Sequence, residues 1–567
     1  MKDQIALEIN KILKQKWDID KKDITIEHPT DNKWGDFATN VSMEIAKELK
    51  KPPMEIAKEL SAELIKDLDK NLFEKIETAQ PGFINFTFST KWLVKEMEIL
   101  ISKKDKYGTS SIGKGKKVLI EFSQPNPNKQ LHIGHSRNNF LGSSLSNLYK
   151  FVGFNVIKAN YMNDWGTHIC KAMLMYKKYG DGKEPNKQPD HFVGDFYKMY
   201  NEKEDENPQL KKEVAEMFSK LEAGDQETTK LWGKIIGWVK KGWETTYFNE
   251  NVEFDTWFNQ SDYKNSGKEI VQLAVKKGVA EKDETGAVIA RLEKYGIPDK
   301  VLLRSDGTSI YSTQDLQMAK DNMEKLGLEK RLYVVDSRQN DYFKQIFKIL
   351  EILGFNWVGG LYHVSYGMVS LPEGNVASRT GVAIDADEVF NKLVELEKEE
   401  IKTSLKKVGD LEGTAKRLAL AAYRYGMLKV DPKSNVEFKY DRVTKFEGNT
   451  GPYLLYTYAR ANSVLEKDFD SPKNGKMYVP NKSETEVLRV LYKFPEVILE
   501  STEKFSPNML ANYLFTLAQK FNSFYSSTPI LKSDGNERNF RINLTKAISQ
   551  ILKTGLGLLG IEVVEKM

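Results

Sequence analysis

Residues 118–122 have a short buried-strand pattern, a loop follows to Leu131, and helical periodicity runs from Ser136 to Gly153. Strand, loop and helix in that order open a nucleotide-binding α/β unit. The loop-to-helix junction carries His132-Ile-Gly-His135, two of the chain's six histidines. The first turn of a helix offers spare backbone N–H groups and a partial positive charge, so imidazoles projecting there add donors to a bound triphosphate. Gly134 removes a side chain where a nucleotide base needs to come close. Such a site suits the charge that develops when a carboxylate attacks the α-phosphate of ATP and pyrophosphate leaves. Local capping or packing by the two histidines is the alternative these residues leave open.

The α/β unit is one part of a longer chain. With 567 residues, it exceeds the roughly 250–300 at which a single core divides, so about three to four domains are expected. Residues 1–95 read as a helix, a loop through Asp31 to Asp36, two helical stretches interrupted at Pro52-Pro53, and a strand over 83–88, a small α/β domain. A segment rich in Lys, Gly and Ser over 102–117 marks a boundary, and residues 96–117 are taken as a linker. The catalytic domain is expected over 118–385, with a further strand at 155–160 and a charged, helical insertion at about 175–255 whose role is not legible. Leu302-Leu303, residues 332–335 and a helix over 342–353 are expected to resume the same sheet. Residues 386–567 are almost wholly helical and read as a bundle.

Composition limits the setting. Lys and Arg number 85 against 80 for Asp and Glu, an excess of +5 that is too small for a polybasic coat, so any nucleic-acid surface is local. Cys170 is the single cysteine, which excludes an internal disulfide framework and a clustered thiolate zinc site and suits the cytoplasm. No apolar run reaches the length of a membrane span, and the amphipathic start is unlike a secretion signal.

The full run Glu121-Phe-Ser-Gln-Pro-Asn-Pro-Asn-Lys-Gln-Leu-His-Ile-Gly-His135 resembles the signature of class I aminoacyl-tRNA synthetases, and Pro-Asn followed by a lysine before the first histidine is similar to the arginyl-tRNA synthetase family. The resemblance continues in Asn160-Tyr-Met-Asn-Asp-Trp-Gly166, Arg304-Ser-Asp-Gly-Thr-Ser-Ile-Tyr-Ser-Thr-Gln-Asp315 and Asp336-Ser-Arg-Gln339. It reaches the C-terminal part in Phe446-Glu-Gly-Asn-Thr-Gly-Pro-Tyr453 and Phe521-Asn-Ser-Phe-Tyr525. It implies a Rossmann-type parallel-sheet catalytic domain, a small N-terminal tRNA-binding domain, and an all-α anticodon-binding bundle. The implied reaction joins L-arginine to tRNA(Arg) through arginyl-adenylate, with ATP and its Mg2+ as substrate and no structural metal in the protein.

A guanidinium is planar, permanently charged and rich in donors, so its pocket needs a carboxylate with further acceptors in a fixed plane. Asp315 is the candidate, with Tyr311 four residues before it. By residue pattern alone, the better reading of Ser312-x-x-Asp315 is a capping-box-like helix start, with Tyr311 and Leu316 as its hydrophobic staple. The resemblance favours the pocket, because the family uses a Tyr-x-x-x-Asp of this kind. It also implies Gln339 in the pocket wall and Asn126 and His135 at the substrate's amino and carboxylate end. Asn126 is otherwise a turn residue between two prolines, and Glu121 is either a strand-end ion-pair partner or a pocket residue.

One departure from the class stands out. The second signature, Lys-Met-Ser-Lys-Ser, is represented by Asn375-Val-Ala-Ser-Arg-Thr-Gly381, which has neither lysine and leaves Arg379 as either a phosphate contact or a solvated loop arginine. Lys129, in the loop before the histidines, is expected to supply the missing positive charge, as in similar members of the family. The rival from another class is a non-catalytic RNA-binding relative that has lost the chemistry. For RNA, the resemblance of Pro81-Gly-Phe-Ile-Asn85 to the end of the family's N-terminal domain implies Phe83 and Asn85, with core strand packing equally open for Phe83. The bundle offers Tyr453, Tyr456 and Tyr458 beside Arg460, where at least two of the tyrosines are expected to be core. A monomer acting on tRNA(Arg), away from membranes, is the expected assembly.

Overall fold

The computed structural model describes residues 1–68, 71–264, 266–308, 310–372, 384–404, 409–467 and 478–567. The chain forms two compact units: Met1–Tyr107 with Ala461–Pro495 and Thr516–Ile551, and Gly108–Arg460 with Glu496–Phe515 and Leu552–Met567.

In the first unit, helices α1 (Lys2–Trp17), α2 (Val41–Leu49) and α3 (Pro53–Asp67) accompany a three-stranded antiparallel sheet in the order β1 (Phe37–Thr39), β3 (Phe83–Phe88), β2 (Phe73–Ala79). The strand expected at 83–88 is therefore central; its two partners are short or polar and have no strong period in the sequence. The expected linker is helical at its start. Helix α4 (Thr90–Lys103) is capped by Ser89, whose hydroxyl accepts from the Trp92 N–H at 3.2 Å, and buries Leu93, Met97 and Leu100.

The second unit is built on a five-stranded parallel sheet, ordered β11 (Leu361–Tyr366), β10 (Leu328–Asp336), β4 (Lys117–Glu121), β5 (Asn155–Met162), β6 (Thr256–Asn259). Strand β4 lies in the middle and is buried from Val118 to Glu121, which explains the apolar Val118-Leu-Ile120 that carries its strand signal. The chain runs from β4 through α5 (Ile133–Phe151) to β5 on one side and later returns to β10 on the other. A parallel sheet whose order reverses in this way opens a crevice beyond the carboxyl ends of its central strands.

Between β5 and β6 lie α6 (Thr167–Tyr179), α7 (Pro189–Glu204), α8 (Gln209–Glu222) and α9 (Gln226–Asn249), the helical insertion expected there. Next come α10 (Lys268–Lys276) and three strands, β7 (Ala280–Lys282), β8 (Val288–Ala290) and β9 (Lys300–Leu303), which form their own antiparallel sheet. Leu302-Leu303 therefore do not resume the parallel sheet as expected: β9 hydrogen-bonds to β8, and Leu302 is buried in a core with Leu292, Leu316 and Ala319. Helices α11 (Tyr311–Leu326) and α12 (Asn340–Ile352) flank β10, the latter as expected. Beyond β12 (Val369–Ser370), the described chain is helical apart from β13 (Val436–Glu437): α13 (Ala386–Ser404), α14 (Leu411–Leu428), α15 (Tyr440–Val443), α16 (Gly451–Leu465), α17 (Lys482–Leu491), α18 (Phe494–Glu503), α19 (Pro507–Ser527) and α20 (Gly535–Leu558).

Candidate functional site

At the carboxyl ends of β4 and β10 lies a cleft of about 730 Å³. Its lining includes Glu121, Asn126, His132, Gly134, His135, Tyr311, Asp315 and Gln339, so eight residues singled out in the sequence converge on one cavity. An adjoining recess of about 380 Å³ shares Tyr311, Asp315 and Gln339 with it and adds Lys300.

The histidine pair is built by the start of α5. His132 is the N-cap: its Nδ1 accepts from the Gly134 N–H at 3.1 Å, while His135 Nδ1 accepts from the His132 N–H at 3.1 Å. The two rings lie 3.8 Å apart by centroid. With both Nδ1 atoms accepting, the neutral rings carry their protons on Nε2. Burial keeps them neutral: it lowers His132 to about 4, reinforced by the nearby Lys129 charge, and holds His135 well below the ordinary histidine value. The expected spare N–H groups are absent from this turn. Ile133 N donates to Ile384 O at 2.9 Å, Gly134 N to His132, and His135 N to His132 O at 2.7 Å. Capping and function are thus compatible, because the cap leaves the Nε2–H edges as donors. Gly134 also does something other than expected: a Cβ there would come within 3.0 Å of the His132 ring, so the glycine makes room for the cap itself.

Asp315, on the first turns of α11, is no cap. Its Oδ2 accepts from the Tyr342 hydroxyl on α12, while Ser312 donates to Val301 O at 2.8 Å and Thr313 Oγ1 accepts from the Ile310 N–H at 3.3 Å. Burial raises Asp315 to about 6, against the Tyr342 hydrogen bond that lowers it; the Glu121 charge adds to the rise and Arg331 and Lys300 oppose it. Half-buried and short of a cation, Asp315 is a carboxylate prepared for one. Tyr311 is 49% exposed, and its hydroxyl lies 3.3 Å from Asn163 Nδ2, which also donates to Asn126 Oδ1 at 2.7 Å. Gln339, in the turn before α12, is exposed at the rim. Glu121 fills both of its candidate places: it lines the cleft and forms a buried ion pair with Arg331 at 2.5 Å.

Lys129 is outside the cleft lining, half-buried, and lowered by burial, yet close enough for its charge to act on both histidines. Arg379 and the rest of 375–381 lie outside the described residues. Tyr342, Asn163 and Tyr161 were missed from the sequence. Asn163 sits inside the quoted 160–166 motif, whereas Tyr342 carried no signal beyond opening a helix.

Among the described residues, Asp190, His191 and Asp387 approach closely enough to share a cation. Asp387 Oδ2 already accepts from Gln188 and Thr246, each at 2.8 Å, and both ring nitrogens of His191 face carboxylates, the pattern of an imidazolium between two acids.

Of the RNA candidates, Asn85 is 8% exposed on the central strand β3, paired with Ala38 and Glu77, and Phe83 is half-buried. Tyr458 is buried and donates to Glu565, while Tyr453 and Tyr456 are half-buried beside the Phe515 and Phe446 rings. The Arg460 guanidinium lies 4.7 Å over the Tyr456 ring and donates to its hydroxyl at 3.1 Å.

Three family models match this chain: "Arginyl tRNA synthetase N terminal domain" over 1–88, "tRNA synthetases class I (R), catalytic domain" over 96–440, and "DALR anticodon binding domain" over 454–567. An arginine–tRNA ligase of Treponema denticola is 37% identical over 560 residues, covering 96% of this chain and 95% of its own. One of Borrelia turicatae is 35% identical, covering 98% and 96%. Among solved structures, the Thermus thermophilus arginyl-tRNA synthetase superposes with a TM-score of 0.87 at 26% identity, covering the whole of both chains.

Proposed function

This chain belongs to the arginyl-tRNA synthetase family of class I enzymes, and from that premise we propose which of its residues carry each step. Its activity is that of an arginine–tRNA ligase: ATP and L-arginine give arginyl-adenylate and pyrophosphate, and arginine then passes to tRNA(Arg) with release of AMP.

Asp315 receives the guanidinium, its ionised form restored by the incoming cation and its orientation fixed by Tyr342. Tyr311 and Gln339 close the pocket beside it, while Asn126 and His135 hold the amino and carboxylate end. The arginine carboxylate oxygen attacks the α-phosphorus of ATP, and the bond to the β-phosphate oxygen breaks, so pyrophosphate leaves. The Nε2–H groups of His132 and His135 donate to the phosphate oxygens, where a neutral donor in a dry site stabilises developing charge. Lys129 adds positive charge from the loop below, Mg2+ arrives with ATP, and Arg379 is a further phosphate contact. In the second step a ribose hydroxyl at the tRNA end attacks the adenylate carbonyl carbon, and AMP leaves.

Tyr456 with Arg460 offers a half-buried ring and guanidinium for stacking an unpaired base, and Tyr453, Phe83 and Asn85 are lesser surfaces for RNA. No helix among the described residues is long and apolar enough to cross a membrane. A cytoplasmic monomer completes the reading, and a dimeric mass in solution would refute the last word.

The observation that carries the reading is Asp315, a carboxylate held by Tyr342 at the far side of the cleft that holds the histidine pair. Asp315→Ala removes the partner of a desolvated guanidinium and is expected to cost about 3–5 kcal/mol in kcat/KM for arginine. Wild-type kinetics in the folded variant would refute the assignment.

A further inference from the structure

The helical insertion had no legible role in the sequence, yet its helices press on the loop that leads to His132. On α9, the Tyr247 hydroxyl lies 2.8 Å from Ser123 Oγ and accepts from Asn160 Nδ2 at 3.0 Å, and Trp243 Nε1 donates to Lys129 O at 3.2 Å. On α7, a Cβ at Gly194 would come within 2.5 Å of Gln130 Oε1. The same two helices hold a second strip of chain. Residues 384–386 run antiparallel to 131–133: Ile133 N donates to Ile384 O at 2.9 Å, Ala386 N to Leu131 O at 3.1 Å, and His132 pairs with Asp385. Whatever fixes Asp385 and Asp387 therefore fixes the backbone beside His132.

His191 on α7 does this. Its Nε2 lies 3.3 Å from Asp387 Oδ2 and its Nδ1 3.5 Å from Asp385 Oδ2. Asp387 Oδ2 is further held by Gln188 and, from α9, by Thr246. Neighbouring Asp190 is fully buried; its Oδ1 accepts from the His191 N–H at 3.0 Å, and its Oδ2 has no hydrogen-bond partner among the described residues. Three carboxylates thus face one imidazole. We propose that His191 is a positioning residue for adenylate formation: as an imidazolium clasped between Asp385 and Asp387, it ties the insertion to the strip that seats the His132 turn.

The charge balance supports the clasp. The Asp387 hydrogen bond, with Asp385 and Asp190 behind it, raises His191 above the ordinary histidine value against the lowering by burial. A raised histidine keeps its proton below its ordinary value and loses it as pH climbs through the raised one, so the clasp opens on the alkaline side. The deprotonated ring can donate from only one nitrogen, so one of the two carboxylates loses its contact with the imidazole.

The proposal rests on the placing of His132 at ATP, and the test separates the two. Aminoacylation by the full chain is followed from about pH 6 to about pH 9, on both sides of the ordinary histidine value, for wild type, His191→Gln and His132→Ala. The ratio of wild-type to His191→Gln kcat is expected to be largest at the acid end and to fall several-fold towards the alkaline end, with KM for arginine unchanged. A ratio independent of pH would mean a merely structural histidine and would overturn the clasp. Unimpaired His132→Ala would instead sink the ATP-site assignment. Should His191→Gln fail to fold, wild-type protein with labelled histidines decides: the His191 ring resonance must titrate above the ordinary value and move on addition of ATP, and failure of either overturns the proposal.

Discussion

Asp315 shows how one position can satisfy two sequence grammars. Ser312-x-x-Asp315 has the spacing of a capping box, but a cap needs its carboxylate to turn back towards the helix start, and here it turns out to Tyr342. Burial without a fixed cation raises it to about 6, and that has a kinetic consequence. The neutral acid cannot pair with a guanidinium, so KM for arginine is expected to rise by about tenfold for each pH unit below about 6. A KM that stays flat down to pH about 5, measured under conditions where the protein remains folded, would contradict the assigned ionisation. Tyr342 was invisible beforehand because its partner lies on another helix, and no local period links position 342 to 315.

At the scale of elements, the strand, loop and helix around residues 117–151 were legible because three signals agree there: a buried run, a loop, and helical periodicity. Short polar strands were not legible. β6 offers four half-buried residues and no period, and β9 shows two leucines whose antiparallel pairing only the partner strand decides. The loop between β4 and α5 is held by neighbours distant in sequence. Arg137, just past the histidines, is buried with its guanidinium on the carbonyls of Gly367, Pro432 and Ser434, which no motif announced. Within that loop Lys129 carries a test of the compensating-charge account. Lys129→Ala should depress kcat for activation more than it raises KM for ATP, since its charge is needed most when pyrophosphate departs. The opposite split would make it a ground-state ATP contact.

Across the whole molecule, the family models divide the chain in the order expected from composition and pattern: small N-terminal domain, catalytic domain, helical domain. The near-neutral charge balance requires any RNA surface to be local, and Tyr456 with Arg460 is the place proposed for one. Tyr456→Ala is expected to raise KM for tRNA and leave KM for arginine alone, because stacking on an aromatic ring contributes about 1–3 kcal/mol per base. An unchanged KM for tRNA would move the contact elsewhere. The most direct test of the account is ATP–pyrophosphate exchange by the whole chain with tRNA present, comparing arginine with citrulline, its uncharged near-isostere. The account predicts rapid exchange with arginine and almost none with citrulline, because Asp315 is left in the pocket without its cation. Comparable exchange with both would contradict a pocket built around that charge.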